Sequence, residues 1–139
     1  MKFAASRQTK VGFELESMFK KVTLDKMRLV WNWPRDKNWH TDYQAAQKAG
    51  VRVPIIRGHQ LVEYIGELFM KFFGEGYIGG ELVVKLIGIV EPDDEITTRG
   101  VVRGKIAEGD AFRLTLDVWC ENQRGEKVAV GQASGLVLE

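Results

Sequence analysis

Hydrophobic and polar positions along this chain change their period more than once, and each change marks an element. Val11 to Val22 reads as one strand with a kink. Thr23 then stands where a helix N-cap belongs, with Asp25 in the first turn. A short helix is predicted from Leu24 to about Asn32, placing Met27, Val30 and Trp31 inward, and Pro34 ends it. The stretch from Trp33 to His40 has no period and reads as loop. Asp42 to Ala49 predicts a helix of about two turns closed by Gly50, and Val51 to Arg57 is a second connecting loop restricted by Pro54.

The most apolar stretch runs from His59 to Phe73. Leu61, Ile65, Leu68 and Phe72 repeat at helical spacing, while Val62, Tyr64, Phe69 and Phe73 widen the stripe beyond one face. A helix apolar over so much of its circumference must be surrounded by other elements rather than merely docked on one. The glycines of Gly74-Glu75-Gly76 and Gly79-Gly80 close it.

Everything after that reads as strand. Glu81 to Val90 is a nearly continuous apolar run, and Glu91-Pro92-Asp93-Asp94 makes a turn. From Glu95 to Ala107 the pattern alternates, with Ile96, Thr98, Val102 and Ile106 on one side and Glu95, Arg99, Arg103 and Lys105 on the other; Val101 is the exception. Phe112, Leu114, Leu116, Val118 and Cys120 line one face of a third strand. A turn at Asn122-Gln123-Arg124-Gly125 leads into a fourth strand, Glu126 to Leu138. Ala129, Gly131, Ala133 and Gly135 share one face of that last strand, a row of small residues that lets the long helix come close. The predicted class is therefore α+β, a long central helix wrapped by an antiparallel sheet. The 139 residues suit a single domain spanning 1–139.

Composition changes this picture little but removes several functions. With 20 Lys+Arg against 19 Asp+Glu there is no basic excess to attract nucleic acid or an anionic membrane surface. Cys120 is the only cysteine, so no intrachain disulfide can form, and its place in an alternating apolar run makes it a small buried hydrophobe. Two histidines and one cysteine leave a metal site to carboxylates that show no ligand spacing, so no metal or cofactor is expected. The first ten residues have no apolar segment of signal-peptide length, and no run approaches the ~20 apolar residues of a membrane span. A cytosolic setting is the expectation.

Four segments carry a resemblance. They are Val11-Gly12-Phe13-Glu14-Leu15 followed by Thr23-Leu24, then Asp36-Lys37-Asn38-Trp39-His40-Thr41-Asp42, then Pro54-Ile55-Ile56-Arg57-Gly58-His59, and the turn Glu91-Pro92-Asp93-Asp94-Glu95. In this order, around the long helix, they resemble the MaoC-like hydratases and dehydratases of the hot-dog fold, over nearly the whole chain. The second segment matches an active-site loop that usually runs Asp-x-Asn-Pro-x-His-x-Asp. The third matches Pro-Ile-x-His-Gly-Met at the head of the central helix. Two departures stand out. The proline after the asparagine is missing, so Asp36 and His40 are four residues apart instead of five. Arg57 replaces a histidine and His59 a methionine.

The resemblance implies reversible addition of water to a 2-enoyl thioester carried on coenzyme A or acyl carrier protein. It assigns His40 as acid and base, Asp36 as the carboxylate that shares its water, and Gly58 as the backbone N–H facing the thioester oxygen. Asn38 braces the loop or contacts substrate, and Trp39 belongs to an apolar pocket wall together with Trp31 and Trp33. Arg57 either contacts a phosphate or carboxylate of the substrate or pairs with Glu63 or Asp42. His59 is either a second imidazole in the pocket or a residue facing a partner subunit. Arg99, Arg103 and Lys105 either meet the anionic end of coenzyme A or form a solvated face. Asp42 is as well suited to capping the following helix as to chemistry. Two other functions share the fold: a thioesterase recruiting Glu63 or Glu67, and a non-catalytic subunit. Under each, a homodimer or larger assembly is expected.

Overall fold

The computed structural model describes residues 4–138; residues 1–3 and 139 of the predicted domain lie outside the described residues. In chain order the elements are β1 (Met18–Lys21), α1 (Leu24–Arg28), α2 (Tyr43–Lys48), α3 (Gly58–Phe73), a 3-10 turn over Gly74–Tyr77, β2 (Glu81–Leu86), β3 (Glu95–Glu108), β4 (Ala111–Glu121) and β5 (Lys127–Val137). The strands form one antiparallel sheet in the order β1-β3-β4-β5-β2, so β1 and β2 are its free edges. Helix α3 lies in the hollow of this sheet. This is the hot-dog arrangement.

The packing follows from the patterns. Leu61, Ile65, Leu68, Phe72 and Phe73 of α3 are all buried, against Leu114, Leu116, Val118 and Cys120 of β4 and Ala129, Ala133 and Val137 of β5. A Cβ on Gly135 would stand 2.7 Å from the Phe73 ring, so the aromatic end of the helix depends on a bare backbone there. Gly131 serves a different neighbour, because a Cβ on it would meet the backbone carbonyl of Val83 in β2. The other flank of α3 is covered by the N-terminal segment, where Ala5 N–H donates to Phe72 O at 3.0 Å and Phe13 stacks on Phe72. The helix is thus covered on these sides, while His59, Glu63 and Met70 leave its remaining face exposed, so it is less fully enclosed than its wide stripe predicts.

Three predicted features differ, each for a local reason. The expected strand over Val11–Val22 is regular only at β1. Upstream of it the chain touches β3 through single bonds, Gly12 N–H to Val102 O, Leu15 N–H to Gly100 O and a bridge from Glu14 to Val101. That overlay is what buries Val101 on the otherwise polar face of β3. Helix α1 stops at Arg28, so Val30 points outward, 45 % exposed, where the longer helix would have buried it. In β3 a register shift between Val102 and Gly104 reverses the alternation, and Ile106 emerges on the solvent side.

Candidate active site

Two segments meet beside the start of α3 and between them hold the imidazole of His40. The first is the loop running from α1 to α2, and its centre is Thr41, which has no exposed surface. The Thr41 hydroxyl accepts from the Asn38 N–H at 3.0 Å, while the Asn38 side-chain oxygen accepts from the His40 N–H at 2.9 Å. Arg28 Nε donates to the Thr41 carbonyl at 2.9 Å, with its guanidinium 3.6 Å above the Trp33 ring. Asp42 caps α2 by accepting from Ala45 N–H, so the carboxylate after the motif serves the backbone. Local side-chain bonds of this kind hold a segment that has no period of its own.

The second segment, Val51 to Arg57, is tied to the first at two points. Ile55 N–H donates to Trp39 O at 3.1 Å, and the Ile55 carbonyl lies 2.9 Å from His40 Nδ1. A carbonyl only accepts, so Nδ1 carries a proton, and in the neutral ring Nε2 is the nitrogen that keeps its lone pair. The ring is further held between two indoles, stacked on Trp31 at 5.5 Å and 13° and tilted against Trp39 at 5.3 Å. Ile56 N–H then bonds Val90 O, docking this segment on the sheet end.

His40 opens on a pocket of about 200 Å³ whose walls include Trp39, Ile56, Gly58, Leu61 and Val90. Leu86, the last residue of the edge strand β2, and Ile89 just beyond it line the pocket as well. Gly58 is the first residue of α3, and the preceding Arg57 makes no side-chain cap. The helix therefore presents its opening N–H groups, and the positive end of its dipole, to the same pocket. A larger cavity of about 330 Å³ lies on the opposite flank of α3, lined by Leu15, Met18, Phe72 and an ion network. It holds no imidazole. There Glu67 binds Lys20 at 3.1 Å and Lys71 at 3.4 Å. Burial by itself would raise the Glu67 pKa, but those two lysines outweigh it and hold the carboxyl below its ordinary range.

Of the residues singled out in the sequence, the structure brings His40, Gly58 and Trp39 to one pocket. Asn38 is beside it as a brace of the loop. Asp36 is a correction. Its side chain is exposed, it does not line the pocket, and no carboxylate is among the hydrogen-bond partners of His40. The Asp36 N–H donates to Asn32 O in a turn, so the loop one residue short aims this side chain outward. His59 is exposed and does not line the pocket either, which removes it as a second imidazole. Arg57 is also absent from the lining and pairs with Glu63 at 3.3 Å. The basic row on β3 does not stay together: Arg99 pairs with Glu121 and Arg103 with Asp117 at 2.9 Å across the sheet, whereas Lys105, beyond the register shift, donates to the carbonyls of Arg7 and Thr9. Sequence reasoning missed the Ile55 carbonyl, which no residue type could signal, and the central place of Thr41, which stands inside the motif.

Comparisons with known proteins agree with this geometry at the level of fold. No protein-family model matches the chain, and no curated protein sequence matches it. Among solved structures, it is similar to the (R)-hydratase from A. caviae involved in PHA biosynthesis, at 20 % identity over 96 % of this chain and 100 % of that one, with a TM-score of 0.75. It is similar to the R-hydratase PhaJ1 from Pseudomonas aeruginosa at 18 % identity, over 95 % of this chain and 84 % of the other, with a TM-score of 0.79. A MaoC-like dehydratase from Rhodospirillum rubrum matches at 20 % identity over 93 % and 92 %, also with a TM-score of 0.79. The chain thus has the hot-dog fold, in the form that MaoC-like dehydratases and (R)-hydratases take.

Proposed function

We propose that this protein is a MaoC-like hydratase/dehydratase that interconverts a 2-enoyl thioester and a 3-hydroxyacyl thioester, the acyl group being carried on coenzyme A or acyl carrier protein. One observation carries the reading. A histidine with Nδ1 fixed to a carbonyl and Nε2 free shares an apolar pocket with the uncapped start of a 16-residue helix. The Gly58 N–H and the helix dipole stabilise the charge that reaches the thioester oxygen when water adds at C3. His40 Nε2 takes one proton from that water as the C3–O bond forms. The imidazolium then returns the proton to C2 as the enolate collapses, and both proton transfers fall to His40. No other polar side chain among the described residues lines the pocket apart from the Trp39 indole.

The pocket wall at Leu86 is the end of the edge strand β2, and Val83 in that strand and Ile87 and Ile89 just past it are 69, 49 and 59 % exposed. An apolar strip beside unpaired strand N–H and C=O groups favours a second copy of the chain pairing there, antiparallel, in a homodimer. The thioesterase reading loses its acids. Glu63 is exposed and paired with Arg57, and Glu67 belongs to the other flank of α3. A non-catalytic subunit is favoured by one observation only, the outward Asp36.

The test is hydration of short 2-enoyl-CoA, followed by loss of the enoyl-thioester absorbance. His40→Ala is expected to lose about 10²–10⁴-fold in rate, and Asp36→Asn to stay within about 3-fold, since an exposed side chain away from the pocket leaves the barrier nearly unchanged. Equal losses in both variants would restore Asp36 to the site. Release of free coenzyme A would give the thioesterase, and silence across chain lengths and carriers would leave the non-catalytic subunit.

A further inference from the structure

Trp31 has no part in the family motif and does not line the pocket, yet its indole lies nearly parallel to the His40 ring in an offset stack. The two rings are nearly parallel, 13° apart with centroids 5.5 Å from each other. Among the described residues the ring's edge makes one hydrogen bond, from Nδ1 to the Ile55 carbonyl. A single neutral hydrogen bond is a weak restraint on an imidazole, which can rotate half a turn and present carbon where nitrogen stood. No carboxylate takes part, because Asp36 points away. Two indoles bear on the ring instead, and Trp31 is the one that runs nearly parallel to it, Trp39 being tilted by 53°.

The indole itself gains nothing from hydrogen bonding. Trp31 Nε1 is buried without a partner, so the residue is not retained for its N–H. Its backbone is fixed just past α1, where Trp31 N–H donates to Arg28 O at 3.0 Å, and Arg28 in turn holds Thr41. Stack and loop brace are therefore anchored to one short helix. The negative face of an aromatic ring also favours the positive charge that arrives on His40 when it takes a proton.

We infer that Trp31 is a positioning residue for His40, which keeps Nε2 aimed into the pocket and supports the ring when it is charged. The inference rests on the hydratase reading, but its first readout does not. Nitrogen-15 NMR of the imidazole reads the tautomer and ring exchange in the unliganded protein. Wild type is expected to show one Nδ1–H tautomer. Trp31→Phe keeps an aromatic face and drops the unpartnered N–H, so it should retain that tautomer, a kcat within about 3-fold of wild type, and no loss of thermal stability. Trp31→Leu should show exchanging tautomers and a kcat lower by roughly 10–100-fold, the scale of a small misplacement, with KM within about 2-fold. Should Trp31→Leu fail to fold, Trp31→Met fills similar space without a ring and is judged by the same criteria. A leucine or methionine variant with a single tautomer and wild-type kcat overturns the inference, as does a phenylalanine variant that falls as far as the leucine one. If wild type is inert on every enoyl thioester, the hydratase reading fails while the tautomer comparison still decides the role of Trp31.

Discussion

The helix–sheet core and the loop that carries His40 are built from the same chain by opposite means. In the core, α3 and the inner faces of β3, β4 and β5 repeat one interaction many times: an apolar side chain against others, with Leu61, Ile65, Leu114 and Leu116 each nearly or fully buried. No single contact decides the arrangement, because burial is summed over area and tolerates redistribution. The loop from Trp31 to Asp42 has almost no such repetition. It is held by individual bonds: Thr41 to Asn38, Asn38 to His40, His40 to Ile55. A core of many equivalent contacts is robust, whereas a loop of few specific ones is precise and fragile. The protein places its rigid part under its chemistry and its specific part at it.

Phe73→Ala separates the two regions most strongly. Phe73 packs edge-on against Phe69 at 5.1 Å and Phe72 at 4.9 Å and lies over Gly135, so truncation leaves a cavity with no side chain to refill it. The expected cost is about 3–5 kcal/mol, read as a lower denaturant midpoint, with site geometry intact in the molecules still folded. A loss under about 1 kcal/mol would mean that the helix end repacks and is not the fixed point the comparison assumes.

The core also holds a titratable group. Burial pushes the Cys120 thiol from its usual 9.0 up to about 11, with Thr98 opposing in part. A thiol whose folded pKa is raised favours the folded state below pH 9 and loses that contribution as pH climbs towards 11. The loss reaches about 2–3 kcal/mol, and Cys120→Ala should flatten it. Tyr64 is raised too, first by its burial and then by Cys120, so a residual slope will persist in that variant. A stability profile flat from pH 8 to 11 in wild type would show that the thiol is not shielded.

Thr41→Val reaches the loop alone. The change keeps shape and removes the hydroxyl, leaving the Asn38 N–H without its acceptor. The expected stability loss is about 1–3 kcal/mol and the rate loss about 10-fold or more, as the His40 ring drifts from its position. The core variant should lose stability without specific activity, and the loop variant activity out of proportion to stability. If Thr41→Val keeps full activity, the site does not depend on the loop's internal bonds and the contrast between the two regions weakens.

How much of this was legible in the sequence follows the same division. The apolar stripe of Leu61, Ile65, Leu68 and Phe72 identified α3 because helical burial repeats at a period that residue type alone reveals. The cap at Thr23 was readable because a short polar side chain before a helix has one main use, whereas Asp42 suited a cap and chemistry equally until the structure showed it capping α2. His40 and Gly58 could be named from the motif and do share a pocket. The sequence pattern by itself therefore determined the long helix, the order of the later strands and the wrapped architecture, and the motif resemblance named the two residues at the pocket. Only the tertiary structure decided that Asp36 faces outward, that Ile55 supplies the carbonyl for Nδ1, that Trp31 stacks on the ring and that the register shift after Val102 turns Ile106 to solvent. The reason is physical. Burial leaves a periodic trace in the order of residues, whereas the direction of a loop side chain depends on backbone groups that every residue carries alike.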